Sequence, residues 1–244
     1  MPKFNVEFAN LNIEVNCLYD YTPRYCRDYL TEGTPDFSVT TTEEKIDEEV
    51  STSPYNPKRD YAESICVYRE IANRLPEFNR CVYHGAVLSY GGRGYIFTAP
   101  SGTGKTTHIS LWCKYLKGAE IVNGDKPILH ITEDGVTAYA TPYAGKEGFQ
   151  NHSFVGIHGI CIIHRGTENK ITRLPAGQSV SELIRQMYMP PDTQSVMKSI
   201  DLLDLMLKQV PVYLLECDIS EDAVRTSFEA MTGEKYKTGE SNED

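Results

Sequence analysis

One short segment limits what this chain can fold into. Tyr95-Ile96-Phe97-Thr98-Ala99 is an apolar run of strand length. Pro100-Ser101-Gly102-Thr103-Gly104-Lys105-Thr106-Thr107 follows it and opens a helical pattern that runs from Lys105 to about Leu116 and ends near Gly118. Strand, glycine-rich loop and helix in that order call for an α/β layer. Gly102 and Gly104 permit backbone angles that other residues avoid, so the chain can curl around an anion. The loop N–H groups then face inward, at the positive end of the next helix. In this arrangement Lys105 reaches the β- and γ-phosphates of a nucleotide, the Thr106 hydroxyl ligates Mg²⁺ and Thr107 touches the α-phosphate. Ser101, Gly102, Thr103, Gly104, Lys105, Thr106 and Thr107 are thus the expected cofactor-binding residues, with ATP and Mg²⁺ as the cofactors. The pattern is the P-loop (Walker A) G-x-x-x-x-G-K-[ST], except that its first glycine is Ala99.

Such a loop implies a nucleotide but no reaction. A carboxylate is also needed, at the end of a neighbouring strand, to hold Mg²⁺ or to take a proton. Asp125 lies just past the strand expected over 120–123, about one helix and one strand after Lys105. It reads either as that carboxylate, a metal ligand together with Thr106, or as a turn residue in Asn123-Gly124-Asp125. His84, 21 residues before Lys105, falls in a strand expected over 82–89. It is either a packed histidine or one that orients Asp125 or shuttles its proton. Lys146, in a glycine-rich loop, is either plain solvated surface or a cation for the transferring phosphate. Arg165 is a weaker candidate for the same task.

Around this centre the chain alternates strands and helices. Residues 4–15 read as a strand pair, 21–30 as a short helix with a Tyr stripe, and 37–40 as a strand. The acidic, then Ser/Pro-rich stretch 41–56 reads as an exposed connection. Helices are expected over 61–75, 180–187, 193–208 and 221–231, and strands over 128–131, 136–140, 159–164, 171–174 and 212–217. The expected organisation is an N-terminal accessory β/α layer over 1–79, packed on a core over 80–232, with a polar, disordered tail over 233–244.

Composition narrows the function classes. The 244 residues carry 24 Lys plus Arg against 34 Asp plus Glu, a net charge of −10, with 40% hydrophobic residues. That is ordinary globular usage, and the acidic balance speaks against nucleic acid or an anionic membrane as a partner. No apolar run reaches spanning length and the N-terminus lacks a signal-peptide core. Seven cysteines with no C-x-x-C pair suit neither a disulfide framework nor structural zinc, so a cytoplasmic protein is expected. His152, His158 and His164 recur at a spacing of six, which fits no zinc site.

The motifs together resemble the superfamily of HPr kinase/phosphorylase and the nucleotide domain of phosphoenolpyruvate carboxykinase, in particular small clostridial carboxykinase-like proteins. Ser101-Gly102-Thr103-Gly104-Lys105-Thr106-Thr107 is similar to the carboxykinase loop, and Tyr83-His84-Gly85-Ala86-Val87 resembles the His-Gly segment ahead of the HPr kinase loop. Thr141-Pro142-Tyr143-Ala144-Gly145-Lys146-Glu147-Gly148 is similar to a Pro-x-x-x-Lys substrate-side loop. The resemblance implies an α/β fold of α+β character, with a mixed twisted β-sheet core and flanking helices. It implies Asp125 as general base or metal-associated carboxylate, His84 beside it, and a homo-oligomer. The family's second Asp is Lys126 here. A carboxykinase's oxaloacetate domain and Lys/His/Asp manganese site have no counterpart, so that activity is not expected. The expected function is an ATP-dependent kinase that transfers the γ-phosphate to a hydroxyl of a protein or peptide serine or of a small metabolite. Asp125, His84, Lys105 and Lys146 are its expected catalytic residues. The alternative is a non-catalytic ATP-binding module that regulates or assembles a partner.

Overall fold

The computed structural model describes residues 2–100, 102–146, 148–149 and 151–237. The chain divides into two units: residues up to Phe78 with Met189–Val196, and Asn79–Tyr188 with the chain from Met197 onward.

The first unit starts with the hairpin β1 (Lys3–Phe8) and β2 (Leu11–Asn16), joined by Ala9 and Asn10, both at positive φ. Period-two alternation puts Val6, Phe8, Ile13 and Val15 on the buried face. Then come α1 (Tyr21–Tyr25), a 3-10 turn (Arg27–Tyr29), β3 (Leu30–Thr31) and β4 (Phe37–Thr40), giving a four-stranded sheet in the order β3-β1-β2-β4. The 41–56 stretch is no simple connection. It holds α2 (Glu43–Thr52), because Thr42 accepts the Lys45 N–H as N-cap and Ile46 is buried against Ala62 and Cys66 of α3 (Arg59–Arg74). The acidic residues that suggest a loop are its solvated face: Glu49 pairs with Arg69, and Asp47 and Glu43 pair with Arg59. One charge in this unit is fully buried. Glu63 accepts the N–H groups of Leu18 and Tyr19 and the Thr41 hydroxyl, so the carboxylate joins α3 to two loops.

The second unit is built on a mixed sheet. Its strands are β5 (Arg80–Val82), β6 (Ala86–Tyr90), β7 (Arg93–Thr98), β8 (Glu120–Asn123), β9 (Ile128–Thr132), β10 (Gly135–Tyr139), β11 (Phe154–Arg165), β12 (Lys170–Leu174) and β13 (Val212–Cys217). Its helices are α4 (Lys105–Tyr115), α5 (Ala176–Ile184), most of α6 (Thr193–Gln209) and α7 (Glu221–Thr232). β7 is central, antiparallel to β6 and parallel to β11, with β8 beyond β6. The long β11 serves two partners on its other side: Phe154, Val155 and Gly156 pair antiparallel with β10, and its last six residues pair parallel with β13. β9 and β5 extend the first branch and β12 the second. The single strand expected over 82–89 is two. Tyr83, His84 and Gly85 leave the ladder because their N–H groups are taken by Pro127 O, Gln186 O and Asp125 O.

Beside the sheet, Ile109 and Trp112 of α4 pack with Leu88, Tyr95 and Phe97 and with Val224, Phe228 and Met231 of α7. The Trp112 indole N–H donates to Ser227 Oγ at 2.9 Å, so the buried ring is both packed and satisfied. Of the segment expected to be a tail, residues 233–237 are described. Gly233 closes α7 at φ 75°, and the Tyr236 hydroxyl donates to Glu221 at 2.8 Å. Thr238–Asp244 lie outside the described residues. All seven cysteines are free, and no helix among the described residues is long and apolar enough to cross a membrane. Trp112→Ala removes the largest fully buried side chain. It is expected to cost about 3–5 kcal/mol, read as a lowered denaturation midpoint in urea followed by circular dichroism.

Candidate functional site

The loop between β7 and α4 has the shape its glycines require. Gly102 and Gly104 have φ of 79° and 124°, and an added Cβ would meet nothing within 4 Å at either. Glycine is needed there for the backbone angle and not for space. α2 and α7 are capped by Thr42 and Ser220, whereas no side chain caps α4 at Gly104. The N–H groups of its first turn therefore remain available to an anion. The loop carbonyls are held from outside. Arg165, at the end of β11, donates Nε to Thr103 O at 3.0 Å and Nη2 to Gly102 O. Arg165, expected only as a weak charge for phosphate, is thus a clamp on the loop.

Below the loop the Lys105 side chain is buried. Its ammonium donates to Ala99 O at 3.0 Å and lies 3.1 Å from His84 Nε2. The same Nε2 lies 3.3 Å from Asp125 Oδ1, and the other Asp125 oxygen is 3.2 Å from the Lys126 ammonium. Lysine, imidazole, carboxylate and lysine form one continuous row. Burial lowers the Lys105 pKa, although the Asp125 charge pulls it back up. For Asp125 the largest single influence is burial, which raises the carboxyl. The His84 hydrogen bond and the Lys126 charge outweigh it, so the net shift is downward.

Backbone bonds put these groups together. Gly85 N–H donates to Asp125 O and Tyr83 N–H to Pro127 O, so the break between β5 and β6 lies along the Asp125 turn. Asn123, fully buried, organises that turn. Its Oδ1 accepts from the N–H groups of Asp125 and Lys126, and its amide donates to Thr141 O. A Cβ on Gly124 would come within 2.7 Å of Ala144 O, so the 141–149 loop approaches this turn closely. Two bonds tie the loop down on either side of Lys146: Lys126 N–H to Tyr143 O and Gly124 N–H to Phe149 O. Lys146 itself is exposed.

On the outer flank of the loop is a cavity of about 550 Å³, lined by Thr103, Gly104, Thr107, Leu111 and Ile163 and edged by Arg165, Asp218 and Ile219. Neither His84 nor Asp125 lines it. Ile219 is 75% exposed, a large apolar side chain left open at the rim. His108, in the cavity wall, shares Ser227 Oγ with Trp112, and burial lowers its pKa to about 4.

Of the expected residues, His84 therefore lies within hydrogen-bonding range of both Lys105 and Asp125, which makes one row of the three. Gly102, Thr103, Gly104 and Thr107 form the loop and its flank, Thr106 is half-buried in the first turn of α4, and Ser101 lies outside the described residues. Of the two residues expected to hold Mg²⁺, Thr106 offers a hydroxyl in the first turn of α4 and Asp125 a carboxylate whose two oxygens face His84 and Lys126. No cluster of three metal-ligating side chains occurs among the described residues. Sequence reasoning missed Asn123 and Gln186. Asn-Gly-Asp was a readable signal for the first. Nothing local marks Gln186, whose side chain meets His84 Nδ1 at 2.9 Å from 102 positions away.

No protein-family model matches the chain, and no curated protein matches it in sequence. Among solved structures, the chain is similar to the Hpr(Ser) kinase/phosphatase from Coxiella burnetii, with a TM-score of 0.36 and 12% identity over 62% of this chain and 99% of that one.

The downward shift of Asp125 has a consequence for stability. A carboxyl held below its ordinary value of 3.8 stabilises the folded state above that value, and the contribution disappears as pH falls through the folded-state pKa. The stability margin of wild type over Asp125→Asn is expected to be full at neutral pH and to close below pH 3.8, as read from urea midpoints across pH.

Proposed function

We propose that the protein is an ATP-dependent phosphotransferase acting on an alcohol group, and the row Lys105–His84–Asp125 beneath an uncapped glycine loop is the observation that carries this. The triphosphate lies over residues 101–107, with the loop N–H groups and Lys105 on its oxygens. The nucleoside leaves by the outer flank into the 550 Å³ cavity, which falls in the range of small-molecule sites and offers Leu111, Ile163 and Ile219 to a base. The reacting end then faces His84 and Asp125, which do not line that cavity.

Asp125, with His84 beside it, accepts the proton of the acceptor hydroxyl. The hydroxyl oxygen forms a bond to the γ-phosphorus while the bond from that phosphorus to the β,γ-bridging oxygen breaks. The electron pair stays on the departing ADP, so the products are a phosphomonoester, ADP and one proton held by the Asp125–His84 pair. Lys105 and Lys146 offset the charge of the phosphate in transit; positioning and electrostatics dominate such transfers. Thr106 and Asp125 would hold Mg²⁺, which when bound neutralises phosphate charge. Lys126 supplies a fixed positive charge beside Asp125 where the resembled family has a second Asp.

Incubation with γ-labelled ATP and panels of seryl peptides and small alcohols tests this. Transfer by wild type is expected to fall roughly 10²–10⁴-fold in Asp125→Ala, with ATP binding retained, while Lys105→Ala loses ATP binding. Equal transfer by wild type and Asp125→Ala removes Asp125 from the chemistry. ATP binding without any turnover favours the regulatory or assembly module instead.

A further inference from the structure

Three parallel strands of the second unit end on one edge of the sheet, and their ends meet at the outer cavity. β7 runs into the glycine loop, β11 ends at Arg165, and β13 ends at Cys217, the register partner of Arg165. Ligands of such sheets lie beyond the C-terminal ends of the parallel strands. Asp218 is the first residue past β13 and lines the cavity there, with β11 between its strand and the strand that carries the loop. Its neighbour Ile219 stands open at the rim. No step of the transfer uses Asp218.

The Asp218 carboxylate is held at one oxygen and open at the other. Ser220 has a single hydroxyl proton. Its lone pairs take the Asn169 amide and the Ala223 N–H, each at 3.3 Å, so the proton goes to Asp218 Oδ1. Asn169 Oδ1 accepts the Asp218 N–H at 3.1 Å, which fixes the backbone as well. Arg165 is engaged elsewhere, with Nε on Thr103 O and Nη2 on Gly102 O. Among the described residues no second group is bonded to the carboxylate. A negative acceptor of this kind repels phosphate and calls for a donor. The cavity's apolar lining, Leu111, Ile163 and Ile219, offers only contact to the faces of a base.

A nucleoside carries its hydroxyl donors on the ribose, and a carboxylate is a usual acceptor for them. We propose that Asp218 is a specificity-determining residue that accepts a hydrogen bond from the ribose 2′- or 3′-hydroxyl of the bound nucleotide, so that the site selects ribonucleotides over their deoxy counterparts. The glycine loop holds phosphates, which every nucleoside triphosphate shares, and so cannot tell these ligands apart. Asp218 supplies the contact that does. Its charge also gives the nucleotide one direction, with the phosphates toward the loop and Lys105 and the sugar toward the end of β13. The proposal rests on the phosphotransfer reading for where the nucleoside lies, but not for the chemistry of transfer.

Calorimetric titration of the full-length protein with the Mg²⁺ complexes of ATP, 2′-deoxy-ATP, 3′-deoxy-ATP and inorganic tripolyphosphate tests it. Wild type is expected to bind ATP roughly 10-fold more tightly than at least one deoxy analogue, as suits a charge-assisted hydrogen bond at a solvated rim. Asp218→Ala is expected to abolish that preference by weakening ATP, with that analogue and tripolyphosphate bound no less well than before. Asp218→Asn, which keeps an oxygen but no charge, retains part of it. Equal affinity of wild type for ATP and both analogues, a preference that survives Asp218→Ala, or an equal loss of ATP and tripolyphosphate binding overturns the assignment. Should Asp218→Ala not fold, the preference must still be present in wild type and shrink in Asp218→Asn. A wild type that binds none of these ligands rejects Asp218 and the phosphotransfer reading together. ATP bound with the expected preference but never turned over upholds Asp218 and rejects phosphotransfer alone.

Discussion

A buried ammonium group organises this site. Lys105 is 8% exposed, and burial alone disfavours its charge. Such a cation persists only where acceptors and a counter-charge surround it, and each of these comes from a different segment. Ala99 O comes from the end of β7, His84 Nε2 from the break between β5 and β6, and the carboxylate from the turn after β8. The breaks that interrupt regular structure here are therefore useful. His84 can meet Lys105 because residues 83–85 leave the ladder, and Asp125 stands beside it because Asn123 folds the turn back.

The global charge of −10 says little about this place. Lys105, Lys126 and Arg165 lie at or beside the loop and turn, while many acidic residues are on α2 and other exposed faces. An acidic protein can thus present a local cationic cradle, which is what a polyanionic ligand needs. Arg165 also has a structural task there, holding the carbonyls of Gly102 and Thr103.

What the sequence made legible had local causes. Glycine pairs, helical period and strand alternation marked the loop, α4 and most of the sheet strands, because each depends on neighbours within a few positions. His84 was expected beside Asp125, from its spacing ahead of the loop and the family resemblance, but its contact with Lys105 was not. The α2 helix was not, because its acidic run imitates a loop and its anchors, Ile46 and the Thr42 cap, are single residues. Nor was the break at 83–85, since the partners that draw those N–H groups off the ladder include Gln186, about a hundred residues away. Arg165 clamps a loop more than 60 positions from itself, and nothing within its own strand signals that. The sequence could mark the glycine-rich loop and its helix, but tertiary contacts decide which residues hold their surroundings in place.

The proposed function requires the Lys105 ammonium, which lies on His84 here, to reach a triphosphate oxygen. A crystal structure with Mg²⁺ and a non-hydrolysable ATP analogue tests it most directly. The account predicts the triphosphate over residues 101–107, the nucleoside in the cavity edged by Ile219, and the Lys105 ammonium moved from His84 Nε2 to a phosphate oxygen. A triphosphate bound elsewhere, or a Lys105 that stays on His84 with the nucleotide in place, would contradict it.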